Sequence, residues 1–336
     1  VQKFAGTAFI LVLSAQTLQA AGLCKQWVRR QNLPGVSSKV LAESSGISSS
    51  VKFPDERYYH INDSGSGSAF HVSYVTEGRR ELESSRVDGY EADDLESIDV
   101  GPCPVRSAGS CLFLADVGNN DLDRKNLKIL VVGENKDYQK TTAARLVIHV
   151  EYERDPKGRE QHNVEAMMID PLSGDIYTVT KRSSPKNGVA EDLDPRVYVI
   201  RRVDYENAEG EVSLKFTYLR TLKLSQIFPL SVKDEGDKKK MSKYLVTDAD
   251  FSPDGERFVL LFKGDMIEFD SKVLTNTAAL KATDFSAALR GVAPVLEQQE
   301  AVTYTSDGES IVYTSEQKDR GSVPETELLQ LRCVER

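Results

Sequence analysis

The sequence predicts an all-β protein: a five-bladed β-propeller of four-stranded antiparallel blades, closed into a ring by an N-terminal strand, with six blades as the alternative. Three observations predict it. Apolar runs are short, rich in Val, Ile, Tyr and Phe, and bounded by Gly, Pro, Asp or Ser, which is the pattern of strands. A unit made of an acid or hydroxyl, a small residue, an apolar residue, a turn and a strand recurs five times. A cysteine also stands near each end of the expected mature chain, Cys24 and Cys333.

Residues 1–22 are expected to be an export signal. Phe4 to Ala15 is an apolar run behind Lys3, and Ala20-Ala21-Gly22 is a small-x-small cleavage pattern. The run is about a dozen residues, short of the roughly 20 that span a bilayer, so no stable membrane insertion is expected after signal removal. Leu23 stands before Cys24 where a lipobox wants a small residue. Residues 23–336 are then one propeller domain, exported to the periplasm or the extracellular space. Of the 336 residues 40% are hydrophobic and 28% charged, which excludes a disordered chain, and the net charge of -9 excludes a general nucleic-acid binder. The four cysteines are even in number and form no C-x-x-C, so two disulfides are expected, Cys24–Cys333 and Cys103–Cys111, with no thiolate metal site.

The five copies begin at Glu43-Ser44-Ser45-Gly46-Ile47, Asp94-Leu95-Glu96-Ser97-Ile98, Glu165-Ala166-Met167-Met168, Asp248-Ala249-Asp250-Phe251 and Glu300-Ala301-Val302. Each leads to a second strand: Arg57 to Ile61, Cys111 to Ala115, Ile176 to Thr180, Arg257 to Phe262 and Ser310 to Thr314. Asp170-Pro171-Leu172-Ser173-Gly174, Ser252-Pro253-Asp254-Gly255 and Ser306-Asp307-Gly308 supply the preset and positive φ angles of hairpin turns. Further strands follow, as at Ala69 to Val75 or Lys128 to Val132. The last copy has three strands before the chain stops, and the segment around Val36 to Leu41 is expected to complete its blade. A sixth blade would have to come from 182–245 or 264–295. Helical periodicity is confined to Leu274 to Leu289.

Ser44-Ser45-Gly46-Ile47, His60-Ile61-Asn62-Asp63-Ser64-Gly65, Asp94-Leu95-Glu96-Ser97-Ile98 and Asp116-Val117-Gly118-Asn119-Asn120 resemble the ordered motifs of exported bacterial β-propeller proteins of WD40-like or TolB-like type. Those motifs read S-G-[LI], H-N-D-S-G, D-W-E-D-I and D-[IV]-G-D-N. Leu95 replaces the family's Trp, Ser97 its second acid and Asn119 an Asp, which removes negative charge from the mouth. The resemblance implies a fold and an exported location, and no settled activity. Phytase-like and esterase-like propeller domains are more distantly similar.

In such a ring, acids at equivalent positions meet around one axis. Glu96, Glu165, Asp250 (or Asp248) and Glu300 are the expected channel residues and the candidate ligands for Ca²⁺ or Mg²⁺, since hard cations prefer oxygen donors. Asp63, Asp116, Asn120, Arg124, Lys181 and Glu316 are the expected ligand-binding rim, with Lys181 and Lys263 offsetting the negative charge. Glu96, Glu165 and His60 are the catalytic candidates if there is a reaction, His60 because it ends a strand beside Asn62 and Asp63 and is expected to face the mouth. Of the other histidines, His71 and His149 lie in strand contexts expected to be structural, and with His162 they show no zinc spacing. Ser64 has no G-x-S-x-G elbow, and Asp116 to Asp123 lacks EF-hand spacing. The Lys-rich run over 233–243 is expected to be an exposed loop. No nucleotide cofactor is called for. Three functions follow as expectations: binding of a small polar or anionic ligand or a divalent cation, hydrolysis of phosphoesters or glycosides, or docking of an envelope protein.

Overall fold

The computed structural model describes residues 22–63, 65–75, 82–182, 194–224, 227, 244–276, 278–286, 288–290, 292–293, 296, 298–316 and 325–336. Residues 1–21 of the expected signal, Ser64 and the Lys-rich run lie outside them. The chain is all-β, with 51% strand against 4% helix.

Two short strands, β1 (Gln26–Arg29) and β2 (Leu33–Ser37), precede a first meander of β3 (Ser44–Ser49), β4 (Arg57–Asn62), β5 (Ala69–Tyr74) and β6 (Glu83–Val87). The second runs β7 (Leu95–Pro102), β8 (Ser110–Asp116) and β9 (Lys128–Gly133), then the two-residue β10 (Thr141–Thr142) and β11 (Leu146–Tyr152). The third is β12 (Asn163–Ile169), β13 (Ile176–Arg182), β14 (Arg196–Ile200) and β15 (Gly210–Thr221). The fourth is β16 (Val246–Phe251), β17 (Arg257–Phe262), β18 (Asp265–Asp270) and β19 (Phe285–Ser286). The last is β20 (Gln299–Tyr304), β21 (Ser310–Ser315) and β22 (Glu325–Glu335). A four-residue helix, α1 (Lys272–Thr275), begins ahead of the Leu274 to Leu289 segment where helix is expected.

Neighbouring strands within each meander pair antiparallel, except that β10 leaves the second meander to pair in parallel with β6 of the first, so that β9 pairs directly with β11. The second and third meanders are joined along their outer edges, where β11 pairs in parallel with the first half of β15. The resulting eight-stranded sheet nearly closes on itself like a barrel, because its two end strands, β7 and β12, lie against each other. The opening strands β3, β7, β12, β16 and β20 follow one another side by side in chain order, and β20 returns to β3.

Each opening strand is the edge of its sheet, so its outward N–H and C=O groups need partners from somewhere other than a ladder. Side chains of the neighbouring opening strand supply them. Asp99 Oδ2 accepts from Ile169 N at 2.6 Å, Asp248 Oδ2 from Val302 N at 2.8 Å and Asp250 Oδ2 from Tyr304 N at 2.7 Å. Ser45, Ser97 and Thr247 donate to the carbonyls of Glu96, Met167 and Gln299 at 3.0–3.2 Å. Ser97 Oγ also lies 3.1 Å from Asp248 Oδ1, on an opening strand that is not its neighbour. Burial raises all three aspartates, Asp99 to about 7.

The ends close on each other. β22 is long enough for two partners: β1 pairs with its C-terminal half and β2 with its N-terminal half. The completing strand is therefore Gln26–Arg29, with Leu33–Ser37 beside it, and the expected Val36 to Leu41 segment contributes only its first two residues. Both expected disulfides are present, Cys24–Cys333 and Cys103–Cys111, and no cysteine is free. That pairing fits an oxidising, exported environment. Among the described residues no helix is long and apolar enough to cross a membrane. The seam also holds a buried ionic knot: Glu268 accepts from Cys24 N at 2.7 Å, Arg257 Nη1 at 3.1 Å and Tyr304 OH at 2.9 Å.

Cys24 and Cys333 are 309 residues apart, whereas Cys103 and Cys111 are 8 apart. Loop-closure entropy grows with that span, so replacing the first pair with Ser is expected to cost about 2–5 kcal/mol and the second pair less. Urea denaturation of the two double variants checks this, and an equal or larger loss from the second pair would contradict it.

Candidate functional site

Every opening strand carries a register shift near its start. The shifts fall between Ser44 and Gly46, Leu95 and Ser97, Val164 and Ala166, Val246 and Asp248, and Gln299 and Ala301. The extra residues are Ser45, Glu96, Glu165, Thr247 and Glu300. A β-bulge leaves its additional residue out of the ladder and re-aims its side chain. Five equivalent bulges therefore bring three of the expected acids, Glu96, Glu165 and Glu300, to one end of the ring.

Lysines from second strands and hairpins meet two of them. Lys181, on β13, is ion-paired with Glu165, and Lys263, just past β17, lies 3.1 Å from Glu300. Burial alone would lower Lys181, but Glu165, Glu300 and Glu96 hold it above its ordinary value. Burial raises Glu165 to about 7, with Lys181 opposing the rise and Glu300 adding to it.

Glu96 meets carboxyls instead. Oxygens of Asp63, Asp94 and Glu96 all lie within 4.8 Å of one another, and Ser45 Oγ donates to Glu96 Oε2 at 3.2 Å. Burial, then the hydrogen bond and charge of Asp94, raise Asp63 to about 7. Asp94 is raised mainly by burial, and Glu96 well above its usual value by burial and then Glu165. Gly118 backs the cluster: a Cβ there would overlap the Asp94 carboxylate and come 2.7 Å from Glu96 Oε1.

The loop behind the cluster is braced by Asp116. Its Oδ1 accepts from Asp94 N at 2.9 Å, and its carboxylate is paired with Arg124 at 2.7 Å and Lys128 at 2.9 Å. Burial would raise Asp116, but those two cations hold it below the carboxylate range. Arg124 also donates to Gly118 O, and Asn119 Oδ1 caps the N–H groups of Asp123 and Arg124 at 3.0 Å. Asn163 Nδ2 reaches Glu165 Oε1 at 3.3 Å and Asn120 Oδ1 at 3.1 Å. Gln298 donates to Glu316 at 2.6 Å, and burial with Glu300 and Asp63 raises that acid.

The structure thus gathers Asp63, Glu96, Glu165, Lys181, Glu300 and Glu316, with Asn120 exposed at the margin. Asp116 and Arg124 are supports rather than open rim groups, because each is already engaged by the other. Two placements are corrected. Asp250 is not at the mouth: the equivalent of Glu96 on β16 is Thr247, and Asp250 sits three residues deeper, bonded to Thr303 Oγ1 at 2.9 Å as well as Tyr304 N. His60 does not face the mouth: it is fully buried with Nε2 2.7 Å from Ser73 Oγ, and burial followed by His71 lowers it to about 3. Sequence reasoning overlooked Asp94 and Gly118 as parts of the site. The i, i+2 spacing of Asp94 and Glu96 at the start of a strand was the available signal.

A scan against protein-family models and a search of curated proteins find no match to this chain.

Gly118→Ala is expected to cost about 1–3 kcal/mol through overpacking against Asp94 and Glu96. Adding Asp94→Ala should recover part of that loss. Thermal denaturation of the single and double variants measures the coupling, and strict additivity would show that Gly118 does not back the cluster.

Proposed function

We propose that the chain is an exported five-bladed β-propeller, of the kind its motifs resemble, that binds a divalent cation of the Ca²⁺ or Mg²⁺ class at an acidic axial mouth. The cyclic order of the five opening strands, the five equivalent bulges and the N-terminal strand on β22 support the propeller. The observation that carries the function is the convergence of Asp63, Asp94 and Glu96. Three carboxylates and the Ser45 hydroxyl are the hard oxygen donors that such ions take, and fewer than the six to eight Ca²⁺ uses, which leaves positions for water or a small polar ligand. A cation there relieves the mutual repulsion that, with burial, raises these acids.

A second reading is a hydrolase. Burial holds Asp63 and Glu165 to about 7, where a carboxyl can donate a proton and later accept one, as general acid–base chemistry on a phosphoester or glycoside needs. In that case Glu165→Gln abolishes turnover of a chromogenic phosphate or glycoside; a protein that turns over none of them is a binding module.

Calorimetric titration with CaCl₂ and MgCl₂ at pH 8 tests the first reading. Binding should weaken at least tenfold in Asp94→Asn or Glu96→Gln, and no heat at millimolar ion would end the proposal. The pH dependence has a defined sign. Between about 4, the ordinary carboxyl range, and about 7, the cation-free folded protein holds protons on Asp63 and Glu165 that the unfolded chain has lost, so these groups make its stability fall as pH rises. The cation competes with those protons, so its affinity should drop as pH falls through about 7, and the Tm gain from CaCl₂ should be larger at pH 8 than at pH 5.

A further inference from the structure

The side chain of Asn62, at the end of β4, is a hub of fixed polarity. Its Oδ1 accepts from Glu43 N at 3.1 Å, and its Nδ2 donates to Val40 O at 2.8 Å and Ser66 Oγ at 3.0 Å. That same NH₂ faces His71 Nε2 on β5 at 3.4 Å, while His71 Nδ1 lies 2.7 Å from Ser84 Oγ on β6. The two amide protons serve Val40 O and Ser66 Oγ, and only a weak shared contact is left for Nε2; because the NH₂ has no lone pair to accept with, an Nε2–H would meet it donor to donor, so the ring proton belongs on Nδ1. Flipping the amide does not help, because the Glu43 N–H and the Val40 carbonyl hold it from either side.

We propose that His71 is an acid-sensitive latch: a proton added at Nε2 sets two donors face to face, breaks the contact with Asn62, and frees the segment ahead of β3 together with the backbone leading to Asp63. The surroundings give that proton no counter-charge. Directly across on β4 is His60, a second buried imidazole. On β6, Arg86 is engaged with Glu91 at 3.3 Å. Glu43 meets the hub through its backbone N–H and carbonyl, the latter taking Asp63 N at 2.9 Å. Val36, Val312 and Leu328 from the closing strands pack around Tyr58, which shares His60's face of β4 by strand alternation. Among the described residues no carboxylate hydrogen-bonds either ring.

Burial accordingly lowers His71 to about 4. An unfolded histidine titrates near 6.5, so this group's share of stability is whole above about 6.5 and is lost as pH falls from there towards about 4. The mouth acids cannot mimic the effect, since protonating them at lower pH stabilises the fold. The inference does not rest on the cation reading.

Hydrogen exchange at the Glu43 amide, corrected for the intrinsic rate and followed from pH 7 to pH 4 with EDTA present, reads the latch directly. Protection in the wild type should fall by up to tenfold per pH unit below about 6.5. It should stay level in His71→Gln and still fall in His60→Gln. A level wild-type profile, or a fall in His71→Gln equal to the wild type's, overturns the proposal. If His71→Gln does not fold, ¹⁵N NMR of the wild-type ring at pH 7.5 decides it: the Nδ1–H tautomer supports the latch and the Nε2–H tautomer refutes it.

Discussion

Five edge strands, set side by side without a ladder between them, leave a ring of backbone N–H and C=O groups that must be satisfied in the buried interior. An unpaired buried amide costs about 1–3 kcal/mol, so a ring of them would consume most of a domain's net stability. Asp99, Asp248 and Asp250 take N–H groups of the next strand, and Ser45, Ser97 and Thr247 give protons to its carbonyls. Asp99, Asp248 and Asp250 are therefore first of all fasteners between neighbouring edge strands. Their burial, and the upward shift it brings, is the consequence of that task.

The acidic cluster is built on the same ring by one local change. Where the opening strands are in register, their acids point into the fastened interior. Where a bulge adds a residue, its side chain leaves the ladder and is re-aimed, and at three of the five bulges it carries an acid to one end of the ring. Glu96, Glu165 and Glu300 are at those positions and Asp250 is not, which is why two acids of one repeat class do different things. The cluster is also uneven: Lys181 and Lys263 answer Glu165 and Glu300, whereas Glu96 meets Asp63 and Asp94. Carboxyl groups without a lysine beside them are concentrated on the side of the first and second meanders.

The seam shows the same economy of partners. Cys24 is held to Cys333 by the disulfide, to Glu268 by its N–H and to Ser286 by its carbonyl. Glu268 is fully buried, and three donors plus the Arg257 charge offset its desolvation. The N-terminal strand is thereby fixed to the fourth meander as well as to β22, so closing the ring organises more than the one sheet it completes.

Much of this was legible in the residues. The short β-branched runs, the Pro and Gly turns and the two cysteine pairs identify the strands, most hairpins and both disulfides, because each is a local preference or a count that the chain carries wherever it is placed. The recurring acids likewise announced a repeat. What they could not reveal is which acid faces the mouth, because a one-residue bulge exchanges the two faces of a strand and is invisible in a pattern that only alternates. Nor could His60 be told from a surface histidine by its neighbours Asn62 and Asp63, since its burial depends on how the folded strands pack and not on adjacent residues. Sequence alone thus determined the class of structure and the means of closing it. The tertiary arrangement decided which carboxyls meet a lysine and which meet one another, because that depends on the partners brought to each strand edge from elsewhere in the ring.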